Sequence, residues 1–139
     1  MTASHVRFTA LEWQGDLRFT ARQEGGPAIT VDGQNIAGPS PMIALLIAVA
    51  GCSGADVADI LRKKKVTPTR FRIEISGERR EEYPRRYTSL KLVFRLAGEG
   101  LTEEKARRSV DLSITKYCSV LASLNPDIPV TTEIVIEGR

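Results

Sequence analysis

Two thiols, Cys52 and Cys118, and two arginines, Arg18 and Arg22, are the residues whose types could do chemistry in this chain. A cysteine reacts as its thiolate. The two thiols lie far apart in sequence, so no CxxC pair exists and only the fold can bring them together. Cys52 sits in Ala50-Gly51-Cys52-Ser53-Gly54-Ala55. Its small neighbours let a second backbone or a substrate approach the sulfur, although each glycine costs a helix about 1 kcal/mol relative to alanine. The same residues also fit tight packing around an inert, buried thiol, a common fate of free cysteines. Cys118, in Lys116-Tyr117-Cys118-Ser119, admits the same two readings. With a single histidine, His5, near the N-terminus, neither a Cys–His catalytic pair nor a histidine-rich metal site is expected. Two cysteines without a leader point to the cytosol, where a permanent structural disulfide is not expected. Arg18 and Arg22 are evenly spaced on an early strand and share a face. Beside a cysteine, either would favour the thiolate and could hold a peroxide oxygen; otherwise both are solvated strand arginines.

The elements that must position these residues are legible as a single α+β domain spanning 1–139. Hydrophobic residues make up 42% of the chain and aromatics only 6%, so the core is aliphatic. A net charge of +3 is too small to argue for nucleic acid. Arg79-Arg80-Glu81-Glu82-Tyr83-Pro84-Arg85-Arg86 interleaves acids with bases and reads as a solvated hairpin loop. Residues Met1 to Glu12 alternate in polarity instead of forming a signal peptide. Met42–Ala50, the longest apolar run, is about half of what a membrane span needs. A soluble, cytoplasmic protein is therefore expected, with no membrane and no nucleic-acid partner. Strands are expected over His5–Glu12, Leu17–Arg22 and Ala28–Asp32, with turns at Gly15-Asp16 and Gly25-Gly26-Pro27. Ser40 and Pro41 cap and start a helix running from Met42 to about Lys65, whose terminal lysines suit its dipole. That helix is apolar nearly all round up to Ala50 and so needs partners on every face, which implicates a second subunit. Phe71, Ile73 and Ile75, then Leu90, Leu92, Phe94 and Leu96, alternate as a hairpin around a loop over Gly77–Arg86. Thr102 caps a second helix carrying Ala106, Val110, Ile114 and Tyr117 at helical spacing. A helical turn follows through Cys118 to Leu124, and Val130–Glu137 is a last strand. Because the strands cluster, the pairing is expected to be largely antiparallel.

Several groups of residues carry a family resemblance. Gly38-Pro39-Ser40-Pro41-Met42 leads an aliphatic helix to Ala50-Gly51-Cys52-Ser53, and Lys116-Tyr117-Cys118-Ser119-Val120 follows at the matching distance. The aromatic-rich first strand, Gly26 to Asp32 and the alternating hairpin complete the pattern. Together they resemble the OsmC-like superfamily, which includes osmotically inducible protein C and the organic hydroperoxide resistance proteins. The resemblance implies two central helices packed on curved antiparallel sheets in an intertwined homodimer with two interface sites. It implies a thiol peroxidase acting on organic hydroperoxides, with Cys52 in the place of the peroxide-attacking cysteine and Cys118 in that of the resolving one. Arg22 is the first match to the family's arginine and Arg18 the second. An external dithiol reductant is implied, and no metal or organic cofactor. The chain departs from the pattern where the family places a glutamate at the start of the helix: Met42 and Ile43 stand there. That departure keeps a second reading open, a non-catalytic dimer that binds a small apolar molecule or senses oxidants.

Overall fold

The computed structural model describes residues 5–22 and 25–138, which divide into two units, Met1–Leu45 and Leu46–Arg139. In the first unit Gly15 and Asp16 take positive φ values of 102° and 46°. The resulting turn, closed by Arg18 N–H to the Gly15 carbonyl at 2.9 Å, fixes the register between the strands on either side of it. Strand β1 (Leu11–Trp13) pairs antiparallel with β2 (Arg18–Arg22), which pairs antiparallel with β3 (Ala28–Asp32). The strand expected over His5–Glu12 is thus shorter and later. Val6 and Phe8 alternate correctly but stand 67% and 87% exposed, and alternation without a partner strand does not hold an extended chain. At the end of β3 the Asp32 carboxylate is buried and gathers the next loop around itself. Its Oδ1 accepts the Gln34 N–H at 2.9 Å, and its Oδ2 accepts those of Ala37 at 2.9 Å and Ile36 at 3.3 Å. These N–H donors, Ala37 and Gln34 foremost, hold its carboxyl below the ordinary carboxylate range. The loop then passes so close to β3 that a Cβ on Gly38 would lie 2.2 Å from the Thr30 carbonyl oxygen; only glycine fits. Ser40 Oγ accepts the Ile43 N–H at 3.3 Å, the expected N-cap.

Helix α1 (Pro41–Lys63) starts at that cap and runs on into the second unit. Its buried residues, Leu46, Val49, Ser53, Val57 and Leu61, recur every three or four positions along one stripe. It is therefore not enclosed on all sides within the chain: Ile43 and Ile47 are exposed, the latter at 55%. At 23 residues α1 is long and apolar enough to cross a membrane by length and composition, more than the uncharged run alone indicates. Its buried stripe is nevertheless shared with a protein core, in which Val49, Val57 and Leu61 meet Leu92, Phe94 and Leu96. The helix closes without glycine. Lys65 takes a φ of 63°, Val66 N–H bonds the Leu61 carbonyl and Lys65 N–H that of Arg62, while buried Val66 joins the core beside Leu61.

Strands β4 (Arg70–Arg79) and β5 (Tyr87–Ala97) form the expected antiparallel hairpin, with Phe71 opposite Leu96, Ile73 opposite Phe94 and Ile75 opposite Leu92. Burying each large aliphatic or aromatic side chain of this layer stabilises the fold by about 1.5–3 kcal/mol. The loop is shorter than expected, because Gly77 belongs to β4. A Cβ there would sit 2.6 Å from the Tyr87 ring, so a packed ring, not a turn, requires the glycine. The arginine-rich tip turns on itself: Arg80 donates to the carbonyls of Glu82, Tyr83 and Pro84, Arg79 to that of Arg85, and Arg86 pairs with Asp127. The last strand, β6 (Val130–Ile136), lies beside β5 in parallel, so the sheet β4-β5-β6 is mixed and not antiparallel throughout. The parallel connection requires a crossover, made by α2 (Glu103–Leu112), a π-helical turn (Ser113–Tyr117) and the short α3 (Ser119–Ala122). Thr102 caps α2 as expected, accepting the Lys105 N–H at 3.1 Å.

Candidate active site

Cys52 and Asp56 occupy α1 four residues apart, and therefore one face of the helix. Ser53, next to Cys52, is fully buried. The crossover reaches this face through an irregularity. After α2 the chain widens into the π-helical turn, and Cys118 N–H bonds the Ser113 carbonyl, five residues back, at 2.8 Å. Cys118 itself leaves helical geometry, with φ −73° and ψ 100°, before α3 begins. Ser113 thus has two tasks. Its carbonyl fixes the backbone of Cys118, while its buried hydroxyl lies 3.0 Å from Ser53 Oγ and 2.9 Å from Asp56 Oδ2. The geometry has a consistent proton order: the Ser113 hydroxyl donates to the carboxylate and accepts from that of Ser53.

The result is a cluster in which the sulfurs of Cys52 and Cys118 and a carboxylate oxygen of Asp56 all lie within 4.8 Å of one another. Both cysteines are free thiols. Cys52 is half-buried, whereas Cys118 is only 4% exposed. Burial, foremost, raises the Cys118 pKa above the ordinary thiol value; the Leu121 N–H opposes the rise, and the Cys52 thiol and Asp56 charge add to it. The neutral thiol is therefore the resting form of Cys118. A cavity of about 240 Å³ borders Cys118, walled by Ile114, Leu121, Leu124 and Val130 together with the polar Thr115, Lys116 and Asn125.

Of the four residues singled out by sequence, the structure brings Cys52 and Cys118 together. Arg18 and Arg22 lie on β2 in the other unit, where Arg18 pairs with Asp16 at 3.2 Å. Sequence reasoning misses Asp56 and Ser113. The i, i+4 spacing from Cys52 could have placed Asp56 on the thiol's face, but a regular 3.6-residue period gives no hint of Ser113, which arrives through the π-helical turn.

The chain that carries this thiol pair matches a known family. The model for OsmC-like protein fits residues 32–133. The chain belongs to the OsmC-like family. It is 37% identical to protein YhfA of Escherichia coli K12 over 122 residues, which are 87% of this chain and 91% of YhfA. Among solved structures, a hypothetical protein of Aquifex aeolicus superposes with a TM-score of 0.83 at 32% identity, covering 96% of this chain and 99% of that one. The organic hydroperoxide resistance protein OhrB of Bacillus subtilis shares the fold at a TM-score of 0.60 and 12% identity, with 92% and 98% covered.

Proposed function

We propose that this OsmC-like protein is a thiol-dependent peroxidase that reduces organic hydroperoxides. The observation that carries the reading is the meeting of a half-buried Cys52 with a deeply buried Cys118. The two environments divide the labour. Cys52, the more accessible sulfur, attacks as thiolate the terminal oxygen of the hydroperoxide. The O–O bond breaks, the oxygen stays on sulfur as sulfenic acid, and the alkoxide leaves as the alcohol after taking up a proton. In this reading Asp56, with a carboxylate oxygen within 4.8 Å of both sulfurs, takes the Cys52 proton and returns it to the leaving group through a bridging water. Cys118 then attacks the Cys52 sulfur; the S–O bond breaks, and hydroxide leaves as water with the Cys118 proton. An external dithiol reductant restores both thiols in two exchanges. Arg22, with Arg18 as the alternative, takes the family's arginine position and orients the peroxide. The fold shared with a protein named for organic hydroperoxide resistance supports the substrate class. The working form in this reading is a cytoplasmic homodimer whose subunits cover each other's apolar faces.

The test is thiol mapping. One equivalent of an organic hydroperoxide should convert the two free thiols into an intrachain Cys52–Cys118 disulfide, and Cys118→Ser should accumulate Cys52 sulfenic acid. Oxidation of Cys118 first, or two thiols left reduced, would contradict the assignment. One observation favours the second reading, a non-catalytic binder or sensor: the 240 Å³ cavity is bordered by Cys118 and not by Cys52. Under that reading mapping still yields the disulfide, but no catalytic consumption of peroxide occurs.

A further inference from the structure

We propose that the reduced protein binds a soft divalent cation, Zn²⁺ above all, through Cys52 Sγ, Cys118 Sγ and a carboxylate oxygen of Asp56. The three donor atoms already lie within 4.8 Å of one another. A tetrahedral zinc site, with bonds of about 2.3 Å to sulfur and about 2.0–2.2 Å to oxygen, needs its ligands about 3.5–3.8 Å apart. Closing from 4.8 Å to that spacing moves the donors together by about 1 Å. The donor set chooses the ion: two thiolates with one carboxylate favour Zn²⁺ over Mg²⁺ or Ca²⁺, which prefer shells of oxygen. Cys52 and Asp56 present their donors from one face of α1, and Cys118 supplies the third from the extended residue after the π-helical turn. An outer shell is also in place. Ser113 Oγ holds Asp56 Oδ2 at 2.9 Å and is itself met by Ser53 Oγ at 3.0 Å, which is how ligating carboxylates are oriented in metal sites. Three protein ligands leave the fourth position to water or to an external thiol.

The cation would occupy the same two sulfurs as the proposed peroxide reaction, without depending on that reaction taking place. Binding replaces both thiol protons, which leave to solvent. A disulfide has no thiolate to offer, so metal-bound and oxidised states exclude each other. Zinc therefore shields the thiols from hydroperoxide, and oxidation ejects the metal.

Untagged, fully reduced protein titrated with Co²⁺ in the absence of oxygen tests the proposal, because Co²⁺ reports tetrahedral thiolate ligation by sulfur-to-metal charge-transfer and intense visible bands. One Co²⁺ per chain is expected, displaced by one Zn²⁺, with no such bands in the disulfide form of the same protein. Asp56→Asn should weaken Zn²⁺ binding at least ~10-fold, and Ser113→Ala by ~10-fold, the size of outer-shell effects. Reduced wild-type protein without the bands, or bands that persist in the disulfide form, would overturn the proposal. So would an Asp56→Asn protein that keeps full affinity, because it would leave a site of two thiols only. The wild-type arms require no variant to fold. Absent bands with peroxide turnover intact would remove this inference alone; bands without turnover would remove the peroxidase reading alone.

Discussion

Ser113 joins the two halves of the thiol site, and no ligand chemistry marks it in the sequence. Its hydroxyl is the donor that Asp56 Oδ2 receives, and its carbonyl anchors the Cys118 N–H. In Ser113→Ala the backbone anchor survives, while Asp56 and Ser53 lose a buried partner. Leaving a buried polar group unsatisfied costs about 1–3 kcal/mol, so the urea midpoint should fall accordingly and disulfide formation after oxidation of Cys52 should slow. A change below about 0.5 kcal/mol would mean that the hydroxyl does not hold the cluster together. The two cysteines are legible in the sequence through the family resemblance of the segments around them, since their own neighbours fit an inert buried thiol as well. Asp56 is hidden among the ordinary charges of an amphipathic helix end, where nothing separates it from solvated Asp59.

At the scale of elements, the loop between β3 and α1 is organised by a single carboxylate. Because the Asp32 pKa is lower in the folded protein than in the unfolded chain, its contribution is fully present above the unfolded value of about 3.9 and is lost as pH falls through the lower, folded value. Asp32→Asn should therefore unfold at lower denaturant than wild type at pH 7, with the gap narrowing at pH 3. An equal gap at the two pH values would show that the charge is irrelevant to the loop. The N-cap at Ser40, the paired β4 and β5 and the cap at Thr102 are readable because each depends on neighbours in sequence. Three features are not. The Lys65 closure uses a residue that ordinarily avoids positive φ and is made worthwhile by Val66 packing beside Leu61. The π-helical turn leaves no mark in residue periodicity. The parallel placement of β6 is decided by the crossover and not by its own residues.

At the scale of the whole molecule, the exposed apolar surface is the feature that most needs an explanation. On the outer side of α1, Ile47, Gly51, Gly54 and Ala55 border an apolar groove of about 450 Å³ with Phe71 and Ile73. In the N-terminal unit Phe8, Trp13 and Ile29 also stand in solvent. An exposed apolar groove of this kind suits contact with another chain. The proposed homodimer should appear in light scattering at low micromolar concentration as twice the 15.3 kDa chain mass. A folded monomer there would remove the dimer from the account. The central claim, that the thiol pair turns over hydroperoxide, is tested most directly by steady-state consumption of an organic hydroperoxide with a dithiol reductant. Wild type should consume many equivalents per chain, and Cys52→Ser should fall to the rate of the reductant alone. Equal rates for the two proteins, with the wild type folded and fully reduced, would contradict it.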